Sequence, residues 1–244
     1  MQKRSISLMI IFLITFGCQS EEIPQPAPMD DLSQHENQPD STILRYLALG
    51  DSYTIGHGVP EKDRYPVQLV DTLARHGVSI DSLRIIARTG WTTDELMAAL
   101  DAGELHPPYD LVTLLIGVNN QYRGRSPESY RPEFVALLQR AIEYAGGEKD
   151  RVVVLSIPDW GFTPFATGRD REKISAEIDM YNQINQYETE QMGVIWVDVT
   201  TISREGLNRP ELVAQDGLHP SGIMYAYWVN DVYPHVLQMF LDEK

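Results

Sequence analysis

The sequence predicts an α/β fold, a parallel sheet of five strands with helices packed on both faces. Two observations predict it. Short apolar runs alternate along the chain with longer amphipathic segments. The runs LVTLLI at 111–116 and VVVLSI at 152–157 are almost continuous in apolar residues, as strands covered on both faces are.

The first strand is expected at 43–49, where an apolar run stops at Gly50-Asp51-Ser52, and a helical pattern follows at 65–75. The second strand, 83–87, runs into Thr89-Gly90-Trp91. The next helix, 93–101, opens on Thr92-Thr93-Asp94-Glu95, which has the Thr-x-x-Glu spacing of a capping box. The strand at 111–116 leads to Gly117-Val118-Asn119-Asn120 and a helix at 127–145. The strand at 152–157 leads into Pro158-Asp159-Trp160-Gly161, and the helix at 172–191 precedes a last strand at 194–199. A long loop then carries QDGLHPS, residues 215–221, ahead of a closing helix at 221–241.

Residues 1–17 are set apart from this pattern. Lys3 and Arg4 precede an apolar stretch from Ile6 to Phe16, the layout of a secretory signal and too short for a membrane span. The only cysteine, Cys18, stands at the expected cleavage point. TFGC resembles a bacterial lipobox, with Thr15 and Phe16 in place of the usual larger aliphatic and small residues. That resemblance implies lipidation at Cys18 and an exported, membrane-anchored lipoprotein, periplasmic or at the cell surface. Residues 18–42 are polar, acidic and proline-bearing, and are expected to be a disordered tether. The folded domain is expected at 43–244.

The net charge of −15 repels phosphate backbones, and no Lys/Arg cluster beyond the N-terminus offsets it, which argues against a nucleic-acid partner. In parallel α/β sheets ligands bind beyond the carboxyl ends of the strands. Small and polar residues converge there from every strand of this chain, and they suit acyl transfer. Ser52 is placed as a nucleophile at a strand end, although Ser and Asp are also common helix caps. His219 is placed as its base. Asp216, three residues earlier in a turn, can orient the imidazole through Nδ1 and leave Nε2 for Ser52. Pro220 disfavours helical backbone at His219 and keeps the pair in the loop. The N–H groups of Ser52 and Gly90 and the side-chain amide of Asn119 are the candidate oxyanion donors.

GDSY, Gly90, GVNN and DGLHP together, in this order on the strand ends, resemble the sequence blocks of the SGNH (GDSL-type) hydrolases, from about Leu47 to Pro220. The resemblance implies a flavodoxin-like three-layer α/β/α sandwich and a metal-free serine esterase without a cofactor. It assigns Ser52 as nucleophile, Gly90 and Asn119 as oxyanion donors, and Asp216 and His219 as the remaining triad members. Tyr53 stands where the family name has Leu, and Asn120 where many members have Asp.

His57 is expected on an exposed loop, without an acid to orient it. The 158–171 loop has no clear periodicity, and its Trp160, Phe162 and Phe165 either line an acyl or sugar pocket or stack beneath the surface. Trp91 is read with them, as a pocket wall or as packing. The substrate is expected to be a small-molecule or glycan ester with a short or medium acyl group. Fatty acyl esters, as for a lysophospholipase or thioesterase, are the alternative. A metallophosphoesterase is disfavoured because no Asp-x-His follows the first strand and GVNN lacks a histidine. A surface glycan-binding lipoprotein without catalysis is the non-enzymatic alternative.

Overall fold

The computed structural model describes residues 43–241. The signal, the lipidation at Cys18 and the tether expected from the sequence fall on residues outside the described ones. Five strands, β1 (Arg45–Gly50), β2 (Ser82–Ala87), β3 (Leu111–Leu115), β4 (Val152–Leu155) and β5 (Ile195–Val197), form one sheet in the order β2-β1-β3-β4-β5. Every pairing is parallel. This is the flavodoxin-like order, and helices cover both faces.

Among the described residues, eight α-helices lie between the strands or after β5: α1 (Ser52–Ile55), α2 (Tyr65–Arg75), α3 (Thr93–Ala102), α4 (Val118–Tyr122), α5 (Pro127–Tyr144), α6 (Arg171–Gln191), α7 (Thr200–Ser203) and α8 (Gly222–Leu241). The helix α2 packs on α8, while α3, α5 and α6 pack in succession as the other layer. The expected capping box forms at α3, where the Glu95 carboxylate accepts from the Thr92 N–H at 2.9 Å. Some strand ends differ from the expected runs for local reasons. The Leu44 N–H is taken by Asp81 Oδ2 at 2.8 Å, and β1 begins at Arg45, two residues after the expected start. At the other edge, Asp198 Oδ1 accepts from Thr200 N–H at 2.7 Å and turns the chain into α7.

The strand β3 is buried throughout, and β1 is buried beyond Arg45. Thr113 is a polar residue inside this core, and it is satisfied there: its hydroxyl meets the Tyr46 hydroxyl at 2.8 Å and the Tyr65 hydroxyl at 3.2 Å. Tyr46, Tyr65 and Thr113 are fully buried; Thr113 is a partner to both tyrosines, and the Tyr65 hydroxyl also meets Thr54 Oγ1 at 3.5 Å. Replacing Thr113 by Val keeps the shape and strands the Tyr46 hydroxyl. Thr113→Val is expected to lower unfolding free energy by about 1–3 kcal/mol in urea titrations. Adding Tyr46→Phe should recover part of that loss.

Candidate active site

The parallel sheet brings the carboxyl ends of β1, β2 and β3 to one edge, with Gly50 in register with both Ala87 and Leu115. Ser52 lies two residues beyond that register, at the first position of α1. The helix cap is Asp51, whose Oδ1 accepts from the Tyr53 N–H at 3.0 Å. The capping role therefore falls to Asp51, and the Ser52 hydroxyl is not spent on it.

After β2, the Trp91 N–H bonds to the Arg88 carbonyl at 3.2 Å and closes a turn in which Gly90 has φ +88°. With Thr89 at negative φ this is a type II turn, and its third position favours glycine. The Gly90 N–H takes no part in the turn's closing bond. Asn119, in α4 beyond β3, donates one amide hydrogen to the Trp91 carbonyl at 2.9 Å, which fixes the amide and leaves its second hydrogen unspent. Asn120 is buried, and its role is structural. Its Oδ1 accepts from the Thr93 N–H at 3.1 Å, and its Nδ2 donates to Thr93 Oγ1 at 2.6 Å and to Glu133 Oε2 at 3.3 Å. These bonds tie the loop after β2 to the loop after β3.

The contribution from beyond β5 comes from the 214–221 turn. Asp216 Oδ1 accepts from the N–H groups of Leu218 at 2.9 Å and His219 at 3.0 Å, and Oδ2 bonds to His219 Nδ1 at 2.6 Å. An antiparallel bridge between Val213 and Pro220 and a bond from the Ala214 N–H to the His219 carbonyl at 2.7 Å hold the turn. Tyr53 packs against the His219 ring at 5.7 Å between centroids. Burial pushes the imidazole below its ordinary proton affinity, with the hydrogen bond and charge of Asp216 opposing it. Burial also acts on Asp216 and would raise it, but the His219 and Leu218 N–H groups and the His219 ring outweigh that. Its carboxyl is held below the usual range.

Ser52, Gly90, Asn119 and His219 line one cavity of about 240 Å³. Its far wall is aromatic: Tyr122, Trp160 and Phe165. Of the loop aromatics singled out from sequence, Trp160 and Phe165 line the cavity. Phe162 and Trp91 are not among its lining residues, and Trp91 packs on the core. The Trp160 indole N–H is anchored by Gln121 Oε1 at 2.8 Å. The Arg169 guanidinium covers all three rings, 4.9 Å from Phe165, 5.3 Å from Trp160 and 5.5 Å from Tyr122. The 158–171 loop is tied to the His219 turn by the Phe165 N–H, which donates to the Gly217 carbonyl at 2.9 Å. His57 is exposed, as expected, but it has an acid beside it: its Nε2 is 3.9 Å from Asp216 Oδ2.

A flavodoxin-like sandwich whose strand ends present a serine, a carboxylate-held histidine and amide donors around one cavity has the architecture of an α/β ester hydrolase. The comparisons agree. Residues 48–227 match the GDSL-like lipase/acylhydrolase family, and the chain belongs to that family, a carboxylic ester hydrolase of the SGNH type. An arylesterase of Vibrio mimicus is 25% identical over 180 residues, covering 72% of this chain and 80% of that protein. The acetylxylan esterase Axe2 of Geobacillus stearothermophilus superposes with a TM-score of 0.62 at 17% identity, over 79% of this chain and 94% of that one. A GDSL-like lipase structure from Parabacteroides merdae gives 0.63 at 17% identity, over 80% and 96%. Both likenesses establish the fold.

Asp51 carries a separate consequence. It is fully buried and its Oδ2 has no hydrogen-bond partner, so burial raises its carboxyl from 3.8 to about 7 despite the Tyr53 N–H. A proton bound more tightly in the folded than in the unfolded chain stabilises below the unfolded value, and that stabilisation disappears as pH rises through the folded value. The Asp51 contribution is therefore full below about pH 4 and lost by about pH 7, with a span on the order of 4 kcal/mol. Urea unfolding across this window, compared between the natural chain and Asp51→Asn, should show the decline in the former and a flatter profile in the latter.

Proposed function

We propose that the chain hydrolyses carboxylic esters of short or medium acyl groups through a covalent intermediate on Ser52. The observation that carries this reading is the shared cavity, where Ser52 and the Asp216-held His219 face a short aromatic wall. In the reaction, His219 Nε2 accepts the Ser52 proton as Oγ attacks the ester carbonyl. Asp216 keeps the proton on Nδ1 and stabilises the imidazolium. The oxyanion is met by the N–H groups of Ser52 and Gly90 and the second amide hydrogen of Asn119. The C–O bond to the alcohol breaks as His219 returns the proton to the leaving oxygen. Water, deprotonated by the same Nε2, then releases the acid and restores Ser52.

A cavity of about 240 Å³ lies below the range of about 300–1,000 Å³ typical of drug-sized ligands, which supports a small acyl group. Acetyl esters of glycans fit this size, and the acetylxylan esterase neighbour supports that class. The charged start, apolar core and Cys18 support a lipid-anchored enzyme acting outside the cytoplasm, with no demand for a cofactor in the chemistry.

Rates on a p-nitrophenyl ester series from acetyl to palmitoyl test the reading. Turnover is expected to fall with acyl length, and Ser52→Ala and His219→Ala should each lower it by about 10³-fold or more, with the double variant hardly worse. A preference for long chains would favour lipid esters instead, and additive losses would mean that the two residues do not act as a unit. Asn119→Ala should cost about 10²- to 10³-fold in kcat with little change in KM. Because only neutral His219 accepts a proton and burial lowers its affinity for one, the acid limb of kcat/KM should reach half-maximum below about pH 6.5.

A further inference from the structure

His57 lies between Gly56 and Gly58, both in left-handed conformations at φ 71° and 86°. The second glycine matters most: a Cβ there would stand 3.0 Å from Asp216 Oδ2. This close approach lets the His57 loop lie against the Asp216 carboxylate. The His57 and His219 rings are 4.6 Å apart between centroids, and Asp216 Oδ2 stands between their nitrogens, 3.9 Å from His57 Nε2 and 2.6 Å from His219 Nδ1. Among the described residues, His57, Asp216 and His219 are a group whose ligand atoms all lie within 4.8 Å of one another. His57 Nδ1 meets Thr89 Oγ1 at 3.0 Å, which leaves Nε2 as the nitrogen on the Asp216 side.

We propose that His57, Asp216 and His219 form an inhibitory Zn²⁺ site at Nδ1 of His219, beside the substrate cavity. Two imidazoles and a carboxylate are a donor set that zinc accepts with a solvent molecule as fourth ligand. Tetrahedral zinc with bonds of about 2 Å sets its ligand atoms about 3.3 Å apart, so His57 Nε2 must draw in from 3.9 Å and the 2.6 Å Asp216–His219 pair must open. The His57 side chain is 49% exposed and is held by one side-chain bond, to Thr89 Oγ1. His219 lines the cavity, whereas His57 and Asp216 are not among its lining residues, so the metal would not occupy substrate space.

The inhibition follows from the tautomer, and this step rests on His219 being the base. In the resting pair the Nδ1–H donates to Asp216 and the Nε2 lone pair faces the serine. Zinc takes the Nδ1 lone pair and the Asp216 oxygen. The ring's single proton then passes through solvent from Nδ1 to Nε2. Nε2 becomes a donor, and the Ser52 proton has no acceptor. The loss falls on kcat while KM stays, because the cavity remains open. Mg²⁺ and Ca²⁺, which prefer oxygen ligands, should have no comparable effect.

The test uses the full chain with Cys18→Ser, which removes its only thiol. Zn²⁺ is titrated against ester hydrolysis, each rate being taken relative to that protein's own metal-free rate. The expected result is a fall in kcat at constant KM, reversed by chelator, with His57→Gln needing at least about 10-fold more Zn²⁺. A rise in KM alone, or equal sensitivity in His57→Gln, would overturn the site. Calorimetric titration of Zn²⁺ into Ser52→Ala, with and without His57→Gln, reads binding without turnover. Heat that depends on His57 supports the site even if hydrolysis proceeds by another route, and absence of such heat removes it even if hydrolysis stands.

Discussion

The parallel pairing of β1 with both of its neighbours is the constraint on which the rest of the site depends. Gly50 faces Ala87 on one side and Leu115 on the other. Ser52, Gly90 and Asn119 each follow these register partners by only a few residues. Three groups far apart in sequence are therefore set at one edge by backbone hydrogen bonds. A slip in this register would move one of them along the edge relative to the other two. The buried hydroxyl cluster of Tyr46, Tyr65 and Thr113 sits in the same strands and anchors α2 to them, so the core that fixes the register is partly polar.

From that edge outward, local hydrogen bonds decide what each group is free to do. Asp51 caps α1, which leaves the Ser52 hydroxyl uncommitted. Trp91 takes one Asn119 hydrogen and leaves the other. Asn120 fastens the loops after β2 and β3 together, with Glu133 supplying the carboxylate that an asparagine lacks; the Thr93 hydroxyl also donates to Glu133. The Asp216 carboxylate is held by two backbone N–H groups on one oxygen, so its other oxygen is aimed at His219. The site is a set of short loops, each braced by a bond that spends one hydrogen-bonding group and frees its neighbour.

Much of this was legible in the sequence because it is carried by periodicity and by short local patterns. The almost continuous apolar runs mark β3 and β4, Thr92 to Glu95 marks the start of α3, and Asp216 and His219 lie close enough in sequence to meet within one turn. What escaped depends on long-range approach. Thr113 reads as a minor interruption of an apolar strand until Tyr46 and Tyr65 are seen around it. Asn120 reads as a departure from a motif until Glu133 arrives from α5. Arg169 carries no signal of its own, and its cover over three rings needs the folded loop. In the sequence no acid stands near His57, because Asp216 lies at the other end of the domain's sequence. The glycines on either side of it were the one available cue, since they permit the backbone to come close.

The central claim, that Ser52 is made nucleophilic by the Asp216–His219 pair, is tested most directly with a fluorophosphonate probe. Attack by Ser52 Oγ forms an O–P bond and expels fluoride, and peptide mass mapping locates the adduct. The account predicts one stoichiometric adduct on Ser52, formed at a rate that collapses in His219→Ala and is strongly reduced in Asp216→Ala. An adduct on another residue, or labelling of Ser52 at an unchanged rate without His219, would contradict it.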